Sequence, residues 1–317
     1  MGAKQILARC GILRGSVMRN KLKNAIIKFN THSLSEKIVL ILFFLFFVFE
    51  ALAVVVPFFT VVMNSLKSAD EILSNPTALP ENPRFVNFVE VFTYPNGFFI
   101  KGKIGYGLMF LNSLWQTFVY LIVNLASSSF VAYTLAKYRF PGRSILYFIM
   151  IFTQTIPIVG TGAAMFKHMV ALNMYNNPFT IWFAWSMGFD YSAFVMFGFF
   201  SGISISYMEA ASIDGASEWQ IYTKVMLPQM IPCIVALMIT NFVGKWNDYS
   251  TSQIYLNKFP TLAYGLFLFE QKSNFGDSTK LGIYYAALII TSIPGVVLYS
   301  TMQNFVIKNM TVGGLKG

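Results

Sequence analysis

Side chains able to do chemistry are few and scattered in this sequence. Cys10 and Cys233 are its only cysteines, one in a basic N-terminal stretch and one beside an apolar run, so neither a disulfide nor a zinc site is expected. His32 and His168 are equally isolated, which leaves a metal without a ligand set. There is no HExxH, no GxSxG and no GxxxxGK[ST] phosphate cradle. The chain is therefore expected to hold no metal or cofactor and not to be an enzyme; a membrane-embedded enzyme is the weakest reading of these residues.

What stands out instead is polar groups set in apolar sequence. Glu50, Asn112, Gln116, Asn124, Gln154, Asp190, Asn241 and Asp248, with Lys245 beside the last, each interrupt a long hydrophobic run. Such groups are costly at membrane depth unless they face a cavity or a partner. Two roles are open to them: some line a path for a polar solute, and others bond helix to helix, the second accounting for the larger share.

One polar stretch has a pattern of its own, SYMEAASIDGASEWQIYTKVMLP, over residues 206–228. Ser206 with Glu209, and Ser217 with Gln220, have the spacing of capping boxes, in which a hydroxyl and a side-chain carbonyl or carboxylate satisfy early backbone N–H groups. Between them Asp214 and Gly215 mark a turn, since glycine takes the left-handed conformation that ends a helix. The expectation is a helix, a sharp turn and a second helix. Trp219, Tyr222 and Met226 fall at spacings of three and four, an apolar stripe on the second helix. Spacing alone leaves open whether a partner covers that stripe or the chain's own helices do.

The elements that position these groups follow from composition. Hydrophobic residues are 56% of the chain, charged residues 11%, and the mean hydropathy is +0.58, far from the balance of soluble domains. A bilayer core needs about 20 apolar helical residues to cross it. Six runs of that order appear, near residues 38–63, 108–136, 144–166, 179–200, 229–249 and 281–305. The expected fold is an all-α integral membrane protein with six transmembrane helices. Pro157 and Pro294 are expected to interrupt the third and sixth.

Basic residues orient it. The tail of residues 1–37 is rich in Lys and Arg, and Lys137, Arg139 and Arg143 follow the second run without an acid. Lys308 and Lys316 stand in the C-terminal tail, residues 306–317. Positive loops stay cytoplasmic, so both termini are expected inside, with the loop of residues 206–228 on the same side by alternation. The net charge of +10 sits mostly in the first tail and reads as a topology anchor beside anionic lipid, with no nucleic acid implied. The first apolar run lies behind a long basic leader and is expected to stay as a span.

The string EAASIDGASEWQIYTKVMLP resembles the EAA signature of binding-protein-dependent importer permeases, through Glu209, Ala210, Ala211, Asp214, Gly215, Ala216, Trp219, Val225, Leu227 and Pro228. Similarity extends over VVMNSLKSADEI, YTLAKYRFPGR, WNDY and the terminal QNFVIKNMTVGGLKG, and these pieces resemble the carbohydrate-uptake branch, like the maltose-type second permease subunit. The resemblance implies a type I ABC importer permease fold over residues 38–305, with its family core at 108–305. It also implies that residues 206–228 dock in a cleft of a cytoplasmic ATPase dimer, with Glu209 facing a basic group there. ATP and magnesium would be bound by that separate ATPase. Further implied partners are a second, different permease subunit and an extracytoplasmic sugar-binding protein touching residues 250–280. The cargo would be a sugar or oligosaccharide, and the location the cell membrane of a prokaryote, crossed several times. Aromatic residues, 17% of the chain, suit sugar stacking but also suit the bilayer interface. The basic leader and YPNGFFIKGKIGYG, from Tyr94 to Gly107, depart from the family pattern. Peptide, polyamine or phosphonate cargo is the first alternative. An ion-coupled carrier using Glu50 and Asp190 is more remote, since no repeated halves are visible.

Overall fold

The computed structural model describes residues 33–93, 104–156, 162–186, 188–273 and 280–313. All regular elements among them are helical. The tails before residue 33 and after residue 313, and most of the segment that departs from the family pattern, lie outside the described residues. The chain forms two units, residues 1–60 and 61–317.

The first unit is described through the helix Leu34–Asn64, which begins in it. Ser33 opens this helix reciprocally: its N–H donates to Glu36 Oε2 at 2.9 Å, and the Glu36 N–H donates to Ser33 Oγ at 3.4 Å. The helix carries apolar side chains on every face from Ile38 to Phe59, as a segment solvated by lipid or by other helices must.

The second unit is organised around one central helix, Tyr106–Lys137. Ile181–Trp185, Tyr191–Gly202, Ile231–Trp246 and Leu262–Ser273 pack against it, and the long helix Leu281–Gly313 packs against Ile231–Trp246, Leu262–Ser273 and the short helix Val86–Thr93. One core gathers Tyr106, Met109, Leu121, Phe242, Trp246 and Phe269. A second gathers Leu125, Tyr133, Phe200, Tyr222, Met226 and Leu237. Polar ties lock the first: Tyr106 Oη lies 2.9 Å from Thr291 Oγ1, and Trp246 Nε1 donates to the Thr291 carbonyl at 2.9 Å. At Gly282 a Cβ would stand 2.5 Å from the Lys67 carbonyl oxygen, so the start of the last helix approaches the 61–93 segment as only glycine allows.

The spans are less regular than the hydrophobic runs suggest. Among the described residues three helices are individually long and apolar enough to cross a bilayer: Leu34–Asn64, Tyr106–Lys137 and Leu281–Gln303, the last being part of Leu281–Gly313. The third run falls on two shorter helices, Arg143–Thr155 and Gly162–Ala171, and Pro157 lies outside the described residues. The fourth run divides into Ile181–Trp185 and Tyr191–Gly202. Gly188 makes that division. Its φ is +65°, and a Cβ there would meet Val131 Cγ2 at 2.9 Å, so the chain turns tightly against the central helix before restarting. Pro294 does the reverse of what its type suggests. The last helix runs through it unbroken, with one backbone donor fewer.

Candidate functional site

Residues 206–228 form the expected helix, turn and helix. Ser206–Ile213 ends at Asp214, and Gly215 comes next with φ of +80°. Ser217 then caps the second helix: its N–H donates to Gln220 Oε1 at 2.8 Å, and the Gln220 N–H donates to Ser217 Oγ at 3.4 Å. The matching box at Ser206 and Glu209 does not form. Ile205 already has helical dihedrals and holds the cap position, so Ser206 is inside the helix, and its N–H donates to Ser204 Oγ at 3.3 Å.

The second helix, Glu218–Gln229, carries a wide π-turn segment at Ile221–Met226. A π segment inserts an extra residue into the turn and rotates the remainder of the helix about its axis. The apolar stripe is thereby divided between two environments. Tyr222 and Met226 are buried in the second core against Leu125, Tyr133 and Phe200, whereas the Trp219 ring is 65% exposed. On the first helix Tyr207 and Ile213 are exposed too, Ile213 at 87%. Glu209, Ala210, Asp214, Gly215 and Pro228 are exposed as well, and Ala211, Ala216 and Leu227 are half-buried. Between the two helices lies a shallow concavity of about 470 Å³, lined by Ala211, Gly215, Gln220 and Lys224. No side chain among the described residues crowds Gly215, so a partner's surface can approach its backbone.

This loop is tied to the end of the central helix. Tyr222 Oη donates to Ser129 Oγ at 3.0 Å, and Tyr138 Oη donates to a Glu218 carboxylate oxygen. The Tyr133 ring packs with its centroid 4.9 Å from that of Tyr222 and bonds through its hydroxyl to Tyr138. Lys137 Nζ donates to the Ile203 carbonyl just ahead of the loop. The Tyr138 hydroxyl is pushed above the usual tyrosine range, by burial first and then by the bond to Glu218, so it stays a donor. Sequence reasoning passed over Tyr138, Glu218 and Ser129. Tyr138 does stand in the YTLAKYRFPGR stretch, but nothing in spacing announces a partner 80 residues away.

The membrane-depth polar residues separate into groups. Asn112 Nδ2 donates to the Pro260 carbonyl at 3.0 Å, Gln116 Nε2 to the Phe259 carbonyl at 2.8 Å, and Ser113 Oγ accepts from the Leu262 N–H at 2.8 Å. These three side chains satisfy the backbone of a loop pressed against the central helix, where buried peptide groups must find partners outside regular structure. Asp190 is the N-cap of the helix Tyr191–Gly202. Its Oδ1 accepts from the Ala193 N–H at 3.0 Å and from Ser128 Oγ at 2.8 Å, and its Oδ2 accepts from Asn124 Nδ2 at 2.8 Å. Asn241 Nδ2 donates to Ser192 Oγ at 2.9 Å beside this group. Asp248 pairs with Lys245 at 2.7 Å and accepts from the Thr251 N–H at the start of the helix Ser250–Ile254. Lys245 Nζ also lies over the Trp185 ring, 4.6 Å from its centroid, and 5.4 Å from that of Tyr120, two aromatics that sequence reading did not single out. Glu50 and Gln154 are exposed, and the structure does not bring Gln154 to the others. Within this set the buried acceptors Gln116 Oε1 and Asn124 Oδ1 have no hydrogen-bond partner among the described residues.

The chain resembles known proteins in sequence and in fold. The family described as binding-protein-dependent transport system inner membrane component matches residues 128–312. The diacetylchitobiose uptake system permease protein NgcG of Streptomyces coelicolor is 30% identical over 267 residues, covering 82% of this chain and 83% of that protein. The arabinooligosaccharides transport system permease protein AraQ of Halalkalibacterium halodurans is 28% identical over 275 residues, covering 86% and 94%. In fold, the chain matches a crystal structure of a bacterial ABC transporter involved in the import of the acidic polysaccharide alginate. That match has a TM-score of 0.72 at 23% identity, over 86% of this chain and 98% of that one.

Proposed function

The chain belongs to the binding-protein-dependent transport system inner membrane components, and from that premise we propose that it is a permease subunit of an ATP-driven importer of sugar or oligosaccharide. The observation that carries this reading is the 30% identity, over most of both chains, to a diacetylchitobiose uptake permease. A second oligosaccharide permease at 28% identity supports the same cargo class. An extracytoplasmic binding protein delivers the cargo, a second permease subunit completes the path, and a cytoplasmic ATPase dimer binds ATP and magnesium. Six spans carry the chain across the membrane, with both termini and residues 206–228 in the cytoplasm.

In this reading the loop of residues 206–228 seats in the ATPase. The exposed Trp219, Ile213 and Tyr207, the open backbone at Gly215 and the carboxylate of Glu209 form the docking face. Tyr222, Met226 and the Tyr138 to Glu218 bond hold the loop to the central helix, so a closing stroke of the ATPase is delivered to the helix that carries Asn112, Gln116 and Asn124. Packed side chains transmit such a displacement because a dense core has little free volume to absorb it.

The test is uptake of radiolabelled chito- and arabino-oligosaccharides in cells expressing the whole transporter, with and without this subunit. Accumulation that needs the subunit and ATP is the expected result. Accumulation that survives removal of the associated ATPase but collapses with the ion gradient would sink the importer reading. Uptake of peptides or polyamines in place of sugars would overturn the cargo alone.

A further inference from the structure

A basic pocket lies beside the loop and shares no residue with the docking face. It is about 420 Å³ in volume and is lined by Lys137, Arg139 and Arg143 on one side and by the chain from Ser201 to Ile205 on the other. Two of the three cations are fixed by backbone carbonyls. Lys137 Nζ donates to the Ile203 carbonyl, and Arg143 Nε donates to the Leu135 carbonyl at 2.7 Å. Among the described residues, that second bond leaves the outer guanidinium nitrogens of Arg143 uncommitted. The turn that aims Arg143 depends on Gly142, whose φ is +88°. No carboxylate among the described residues pairs with any of the three, and Glu218 on the adjacent loop accepts from Tyr138. Ser204 lines the same pocket, its Oγ accepting from the Ser206 N–H at 3.3 Å and lying 2.9 Å from Ser206 Oγ.

The pocket's position identifies the anion. It opens where two apolar helices end, after Lys137 and before Arg143. From Arg143 an exposed stripe of Ile145, Phe148 and Phe152 runs along one helix face at spacings of three and four. A ligand with a negatively charged phosphate and attached hydrocarbon chains satisfies both surfaces together. A free phosphate leaves the stripe uncovered, and a neutral lipid leaves the guanidinium groups without a net counter-charge. We propose that this pocket binds the headgroup of an anionic phospholipid, with the acyl chains along Ile145, Phe148 and Phe152. This site requires a membrane but does not depend on which solute is carried.

The experiment uses the full chain co-purified with its transporter partners in detergent, incubated with phosphatidylglycerol or phosphatidylcholine of identical chains and analysed by native mass spectrometry. Phosphatidylglycerol is expected to be retained roughly 25-fold better, and Arg139→Gln with Arg143→Gln to erase that preference, since each basic residue near an anionic surface contributes about a fivefold factor. Arg139→Gln alone, at an exposed side chain, is expected to lose several-fold while leaving the fold intact. Lys224→Gln removes the same charge outside the pocket and is expected to leave the lipid preference as it was. Equal retention of the two lipids, or unchanged preference in the Arg139→Gln protein, overturns the proposal. Displacement of phosphatidylglycerol by an equal concentration of inorganic phosphate overturns the lipid as its source.

Discussion

Tyr138, at the end of the central helix, donates its hydroxyl hydrogen bond to Glu218, the first residue of the second loop helix. Further back along the same helix the loop is bonded again, where Ser129 accepts from Tyr222 at 3.0 Å. The loop is therefore held at two points on one rigid element, so it cannot pivot about either alone.

Removing the first of these ties tests force transmission. Tyr138→Phe and Glu218→Ala are each expected to lower transport per ATP hydrolysed several-fold, because one net hydrogen bond of about 1 kcal/mol is lost between loop and helix. The double variant is expected to be no worse than either single one, since both remove one interaction. Uptake and hydrolysis measured together in proteoliposomes check this. The raised Tyr138 titration fixes the sign of any pH effect. The neutral hydroxyl is the donor, so its contribution is whole below the ordinary tyrosine value of about 10 and is lost only as pH climbs through the raised one. No step in coupling from this group is expected between about pH 6 and 9.

Trp219 and Tyr222 belong to one stripe and their ring centroids lie 5.6 Å apart, but the first is exposed and the second buried, and their variants should part accordingly. Tyr222→Ala empties a buried site and strands Ser129, which costs about 3–5 kcal/mol on the scale of aromatic truncations, so lower abundance and thermal stability are expected. Trp219→Ala, at an exposed ring, is expected to leave thermal stability nearly unchanged while weakening retention of the ATPase on a tagged permease. Equal destabilisation by both would mean that the ring is structural.

Gly215→Val forces a β-branched residue to φ of +80°. Left-handed backbone costs an ordinary residue about 1–2 kcal/mol, and more for a branched one, so the turn between the helices is expected to change course while the spans persist. Normal membrane levels with lost uptake, read by immunoblot and transport assay, are the expected pair of results. Full uptake with normal ATPase association would remove the loop from the coupling path.

Asp190 offers a finer discrimination. Asp190→Ala deletes an N-cap and leaves Ser128 and Asn124 without an acceptor, a loss of about 1–3 kcal/mol, so reduced protein is expected. Asp190→Asn keeps one acceptor oxygen, and its new amide can donate to Asn124 once that side chain turns its unpaired Oδ1 inward. The fold is therefore expected to survive in the amide variant. A shift in apparent sugar affinity measured on it would place Asp190 on the solute path, and unchanged affinity would confine it to helix capping.

Much of this protein was legible before any coordinates. Composition carried its membrane character, and the spacing of Ser217, Gln220, Asp214 and Gly215 carried a helical elbow. Those signals are local: a cap, a left-handed turn and an apolar run each depend on residues within a few positions, whose preferences survive in any fold. The capping box at Ser206 failed because Ser204 and the helical dihedrals of Ile205 competed for the same end, a choice of one turn that spacing does not resolve. The break of the fourth apolar run at Gly188 was also hidden, since it depends on how closely Val131 of another helix approaches.

The sequence by itself determined that the chain is built of apolar helices with a polar, kinked loop among them, because those properties are sums over neighbouring residues. Only the tertiary structure decided which polar groups were already committed. Asn112 and Gln116 serve the carbonyls at 259–260, and Asp190 caps a helix held by Ser128 and Asn124. The faces of the loop stripe were settled the same way, Tyr222 inward and Trp219 outward. A side chain's hydrogen-bond partner and its exposure are set by residues tens to more than a hundred positions away, and no short-range pattern encodes them.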